Sequence, residues 1–214
     1  MTPKNSTPCD WVASVAEFGA RRGVEIAARR IAAHDELALL PEEFEGFMNS
    51  ALGVRRQSGA ARLAARTLLQ RLGLPGYAIP KAPSGAPLWP SGIVGSLAHD
   101  ATFALAAVGW AKAASSVGID LEPNEPLPSR LDVYVATTRE RKLYSAALLN
   151  SRHLFVAKEA VYKAAFPING EALDFQDIEI DFLEGRAHTR HGVSAEIILS
   201  GAECDHLCAL AIVV

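Results

Sequence analysis

Cysteine is scarce in this chain, with three in 214 residues: Cys9, Cys204 and Cys208. An odd count builds no disulfide framework, so the expectation is a reduced, cytoplasmic protein. Cys204 and Cys208 bracket His206. Two thiols and one imidazole inside what reads as a strand do not match the spacing of a structural zinc site. Long apolar runs are also missing. None approaches the ~18 residues of a membrane span, and the opening MTPKNSTPCDW has no apolar stretch of the kind that marks a secretory signal. Positive charge is not in excess either. The 21 Lys and Arg face 24 Asp and Glu, for a net charge of -3, which argues against bulk nucleic-acid binding. Membranes and nucleic acids are therefore not expected partners.

Half of the residues are apolar and 21% are charged, a globular balance that suits one large domain or two small ones. Residues 1–10 read as loose, and 11–40 as short pieces without a clean period. Pro41 opens a helix, followed by Glu42, Glu43 and Glu45, which suit a helix N-terminus. Val54–Leu72 is a helix rich in good formers, with Gly73 as its cap. A Pro- and Gly-rich loop spans 73–92. Three strands follow, at about 93–98, 102–110 and 116–121, and short connections predict an antiparallel meander. Thr137 and Glu140 form a capping box, and a second helix starts near Ser151. Three more strands are expected at about 176–183, 193–199 and 206–213, with Glu184 and Gly185 turning between the first two. The pattern is α+β: a helix and a three-stranded antiparallel sheet, twice, divided into residues 1–122 and 123–214.

Four stretches carry chemistry. In LFVAKEAVYKAAFP, Leu154, Ala157, Val161 and Ala164 form one apolar helical face, and Pro167 is expected to stop the helix. Glu159 and Lys163 lie one turn apart on the other face, among Phe155, Tyr162 and Phe166. Such a pair is also an ordinary helix stabiliser. In VGIDLEP, Asp120 and Glu122 share one strand face about 6–7 Å apart. Their oxygens suit a hard cation such as Mg2+, though an acidic solvent face reads the same way. GIVGSLAH ends a strand at His99; in the meander, His99 falls on the same rim as Asp120 and Glu122. On the Val54–Leu72 helix, Ala61, Ala64, Ala65 and Leu68 make an apolar stripe. Arg55, Arg62 and Arg66 make a cationic one, either a solvated face or an anion site.

In this order, GSLAH, VGIDLE and FVAKEAVYKA resemble the 4′-phosphopantetheinyl transferases, in the single-chain type that serves siderophore, polyketide and non-ribosomal peptide carrier proteins. RRQSGAARLAAR (Arg55–Arg66) and KAPSGAPLWP (Lys81–Pro90) fit as well, and the likeness spans roughly residues 40–168. Each motif is weak alone, and the ordered set is much more specific. The resemblance implies a pseudo-twofold pair of α+β halves with the site at their junction, acting as a monomer. It implies transfer of phosphopantetheine from coenzyme A to a serine of an apo carrier protein, with Mg2+, or Mn2+ in its place, as cofactor. Asp120, Glu122 and Glu159 become the metal ligands. Glu159, Lys163 and Glu122 become the catalytic set, with Glu159 favoured as base. Arg55, Arg62, Lys81, His99, Asp120 and Lys163 become the coenzyme A contacts, Lys81 from the position ahead of Gly85 and Pro87. One departure is Ala98, where the family often has Ser or Thr. Two other readings fit parts of the pattern: another Mg2+-dependent phosphoesterase acting on a nucleotide diphosphate, and a non-catalytic module binding a carrier protein or nucleotide.

Overall fold

The computed structural model describes residues 8–144 and 150–214. The loose stretch expected over residues 1–10 lies outside the described residues up to residue 7, and a helix has begun by Pro8. In chain order the elements are α1 (Pro8–Ala20), β1 (Val24–Arg30), α2 (Pro41–Phe44), α3 (Leu52–Arg71), β2 (Ile93–His99), β3 (Phe103–Trp110) and β4 (Ser116–Pro123). They continue with α4 (Asp132–Val135), α5 (Thr138–Tyr144), α6 (Ser151–Asn169), β5 (Ile178–Asp181), β6 (Arg186–Thr189), β7 (Ser194–Ser200) and β8 (His206–Val213).

The strands form two antiparallel sheets of unequal size, β1-β3-β2 and β4-β8-β7-β6-β5. Expected and observed topology differ at three points. β1, an Ala- and Arg-rich segment, completes the first sheet against β3. β6 is a four-residue strand with no apolar run, and the expected turn at Glu184 and Gly185 joins β5 to it. β4 does not continue a meander from β3. It ladders with β8 instead, Ile119 opposite Leu210 and Glu122 opposite Leu207. The two three-stranded sheets expected are thus one of three and one of five, and the sheet boundary falls ahead of β4 rather than after residue 122.

Side-chain alternation explains why β4 changes sheets. Val117, Ile119 and Leu121 enter a core with Cys208, Leu210 and Ile212 of β8, Phe103 and Leu105 of β3, and Trp11 of α1. The opposite face of β8, with Leu207, Ala209 and Ala211, packs under Ala157, Ala160, Val161 and Ala164 of α6. On the first sheet, Ala106 and Val108 pack under Ala64, Ala65, Leu68 and Leu69 of α3. The order is helix, sheet, sheet, helix, so both β3 and β8 are buried on two faces. A strand apolar on both faces needs cover on both, and only the interior of this stack supplies it.

Gly118 sets how closely α6 lies on β4. A Cβ there would stand 1.9 Å from the Ala160 carbonyl oxygen, so only glycine lets the helix touch the strand's backbone. Pro167 does not end α6. The helix runs to Asn169, and Gly170 closes it at φ 70°, its N–H donating to the Phe166 oxygen. A proline this near the C-terminus removes one ladder bond, and the left-handed glycine makes the stop. The predicted capping box is present: Thr137 N–H donates to Glu140 Oε2 at 2.8 Å, and Glu140 N–H to Thr137 Oγ1 at 3.2 Å.

Lys158, to which sequence reasoning assigned no role, is fully buried. Its Nζ donates to Glu140 Oε2 at 2.7 Å and to the Val135 and Phe175 carbonyls, each at 2.8 Å. Glu140 Oε1 also accepts the Ile180 N–H at 2.8 Å. Burial pulls the Lys158 pKa down, against the opposing pull of Glu140. The pair pins α5, α6 and β5 together.

Candidate active site

The two sheets meet along β2 and β4, which lie side by side without a backbone ladder. One N–H of β4 is satisfied across this seam by a side chain: Ile119 donates to Ser96 Oγ at 3.1 Å. Lys163, reaching down from α6, ties the same seam. Its Nζ bonds Asp120 Oδ1 at 2.7 Å, the Ile119 carbonyl at 3.2 Å and the Leu97 carbonyl at 3.4 Å. His99 and Asp120 therefore do share a neighbourhood, but because β4 runs beside β2 rather than beside β3.

A cavity of about 660 Å3 opens on the β2 side of the seam. Arg62, Lys81, His99 and Lys163 bring basic groups to it, and Phe47 and Trp89 bring aromatic walls. Arg62 comes from the middle of α3 and is buried. Its Nε donates to the Ile79 carbonyl at 2.8 Å, and its guanidinium lies 4.7 Å from the centre of the Phe47 ring. Burial lowers its pKa to about 10, so it remains a cation at neutral pH. Lys81 sits 5.2 Å over the same ring. His99 keeps a solvent-facing edge. The protein around it, and then the Lys163 ammonium, hold its pKa below the ordinary imidazole value. Arg55 is not among the cavity-lining residues. It lies one turn before Ser58 on α3, with its charge 5.8 Å over Phe44. Arg66 is structural, its Nη1 donating to both oxygens of fully buried Glu43 at 2.7 and 2.9 Å. Ala98, the departure noted above, is buried in the core between the sheets.

On the other side of Lys163 stand the three carboxylates. Burial raises the pKa of each. For Glu122 the next cause is the Asp120 charge, and for Glu159 the charges of Asp120 and Glu122 both add. They are therefore close enough to repel one another. They are not preassembled around a point. Among the described residues, no three His, Cys, Asp or Glu side chains converge closely enough to hold a metal ion. Lys163 draws Asp120 to one side, and Arg152, missed by sequence reasoning, holds Glu122 at 2.9 Å. The donor set nonetheless suits a hard cation, being all carboxylate oxygen. Asp120 Oδ2 is buried with no hydrogen-bond partner, an arrangement that costs free energy unless a cation or donor meets it. Of Cys204, His206 and Cys208, Cys208 is buried in the core and His206 is bonded to Asp100.

Raised carboxylate pKa values carry a sign. The folded chain keeps protons that the unfolded chain has released above its Glu pKa of 4.5. Stability from these groups is present below that pH and is lost as pH rises through the folded value. Glu159→Gln removes one of the three charges. Without divalent cations, its Tm should exceed the parent's by an amount that grows from pH 4 to pH 7. A gain of ~1 kcal/mol would read as roughly 2–4 °C by thermal scanning.

Comparison with known proteins gives two family models that match the chain. The model of the 4′-phosphopantetheinyl transferase N-terminal domain covers residues 42–109, which hold α3, Lys81 and β2. The model of the 4′-phosphopantetheinyl transferase superfamily covers residues 116–210, from β4 into β8. The 4′-phosphopantetheinyl transferase Npt of Nocardia iowensis is 37% identical over 189 residues, covering 86% of this chain and 85% of that protein. The chain belongs to the 4′-phosphopantetheinyl transferase family. Two further transferases are similar over a shorter stretch. PptT of Mycobacterium tuberculosis is 41% identical over 68% of this chain, and Svp of Streptomyces mobaraensis 38% over 66%. The matched stretch spans 66% and 60% of those two proteins' own lengths. The two family models part between β3 and β4, where the sheets part. No helix among the described residues is long and apolar enough to cross a membrane.

Proposed function

We propose that this chain transfers the 4′-phosphopantetheine group of coenzyme A to a serine hydroxyl of an apo acyl or peptidyl carrier protein, releasing adenosine 3′,5′-bisphosphate. The observation that carries this reading is Lys163. It joins a basic cavity, suited to a polyanionic nucleotide, to a cluster of acidic groups with a buried unpartnered oxygen.

In this reading Arg62 and Lys81 face the 3′-phosphate, Arg55 stands outside the cavity nearer the start of α3, and His99 and Lys163 face the diphosphate. The serine oxygen forms a bond to the pantetheine-bearing phosphorus, and the bond from that phosphorus to the bridging oxygen breaks. The bridging oxygen leaves on the 5′-phosphate of the nucleotide. The serine proton goes to a carboxylate, for which Glu159 is the favoured group. Burial and then the Asp120 charge raise its pKa, which makes it a stronger proton acceptor, and Glu122 is the alternative. Asp120, Glu122 and Glu159 would hold Mg2+, which offsets charge on the diphosphate when bound. Lys163, paired with Asp120 and lining the cavity, would bring its charge to the phosphates. Positioning and charge neutralisation do most of the work in such transfers.

The deciding measurement is mass spectrometry of candidate apo carrier proteins after incubation with this protein, coenzyme A and Mg2+. One carrier should gain the phosphopantetheine mass on a serine. Free phosphopantetheine released without a carrier would instead indicate hydrolysis, and no Mg2+-dependent coenzyme A binding would indicate a binding module.

A further inference from the structure

We infer that Asp100 and His206 form a positioning pair that fixes the His99 end of the first sheet against β8 and its partner β4, which carries Glu122, and so sets affinity for coenzyme A. This rests on the substrate reading above. Asp100 follows His99 directly, in the turn between β2 and β3. Its Oδ1 accepts the Thr102 and Phe103 N–H groups, both at 2.6 Å. Its carbonyl accepts Gln57 Nε2 of α3 at 2.8 Å. Its Oδ2 is bonded to His206 Nε2 at 2.8 Å.

His206 belongs to the other sheet. It opens β8 directly opposite Pro123, and the next residue, Leu207, stands opposite Glu122. Its ring stacks on Trp11, with centroids 5.6 Å apart, and meets Phe103 edge-on at 5.0 Å. Its Nδ1 is buried and has no partner. Among the described residues, the ring's one polar tie is therefore to Asp100. The aromatic clamp holds the plane of the ring, and the hydrogen bond sets where Asp100 lies.

Ser96 and Lys163 tie the two sheets midway along β2, and Asp100–His206 ties them where β2 ends. Cutting the Asp100–His206 tie loosens the turn that presents His99 while leaving β4, which carries Asp120 and Glu122, laddered to β8. The expected consequence is a change in substrate affinity, not in the chemical step.

The test compares His206→Leu with His206→Gln, whose amide nitrogen can reach Asp100 as Nε2 does. Coenzyme A affinity is measured by calorimetry with Mg2+, beside KM and kcat for transfer and a thermal melt. The Leu variant should bind about tenfold more weakly, the scale of one hydrogen bond to a charged group, with kcat within about twofold of the parent. The Gln variant should recover most of the affinity. Should the Leu variant fail to fold, His206→Asn replaces it, since its shorter amide does not span the gap, and the same loss is expected. Equal losses in the Gln and Leu (or Asn) variants, or none in either, overturn the pair. A parent protein that binds no coenzyme A fails differently: it removes the substrate reading, and the pair's role with it.

Discussion

Glu159→Gln is expected to lower kcat for phosphopantetheine transfer by at least about 100-fold, at the low end of what a general base contributes. The substitution keeps the side chain's length and one oxygen but removes the charge. It should not loosen the fold, because the Glu159 charge is held among Asp120 and Glu122 at a cost to the folded state. Loss of turnover together with a raised melting temperature would separate chemistry from stability within one protein. The two properties would pull apart because like charges gathered in one place raise the free energy of the folded state. Mg2+ should accordingly raise the parent's melting temperature more than the variant's. A variant that transfers at the parental rate would remove Glu159 from the mechanism.

Lys158→Met should produce the largest loss of stability, roughly 3–5 kcal/mol, the usual consequence of leaving a buried charge without its partner. For a chain of this length that lowers Tm by on the order of 10 °C. The methionine matches the lysine stem in volume, so packing is little changed. The loss comes from Glu140, fully enclosed and facing two carbonyls that have lost their donor. Adding Glu140→Gln should restore part of the stability by removing the stranded charge, but not all of it. Glu140 also accepts the N–H groups of Thr137 and Ile180, and an amide serves them less well. Urea titrations of the two variants measure this directly. A melting temperature unchanged by Lys158→Met would mean that the pair contributes no net stability.

Much of this was legible in the sequence, and the reasons differ from place to place. α3 and α6 announce themselves through helix-forming residues with one apolar stripe each. The acidic pair on β4 follows from strand alternation, and its neighbourhood with His99 survives a wrong topology because β4 lies beside β2. The choice of sheet was not legible. Nothing local distinguishes a strand continuing a hairpin from one that pairs with a segment some ninety positions later; that depends on both faces of β8 needing cover. β1 was obscured by Ala27, Ala28, Arg29 and Arg30, a composition as suited to a helix. Lys158 and Glu159 are adjacent and both charged. Periodicity places Lys158 near the apolar side, but only the Glu140 partner explains how it is tolerated there. The partnership of Glu122 with Arg152 joins two elements whose separation no motif records.

The contact between Gly118 and the Ala160 carbonyl has a consequence for how this catalyst can drift. The height of the helix bearing Glu159 and Lys163 above Asp120 is limited by main chain meeting main chain, not by interlocking side groups. Exchanges of one aliphatic residue for another elsewhere beneath that helix should change how firmly it is held without changing where it rests. Homologous sequences could then diverge widely in their interiors and still present the same acidic and basic atoms at the same separation.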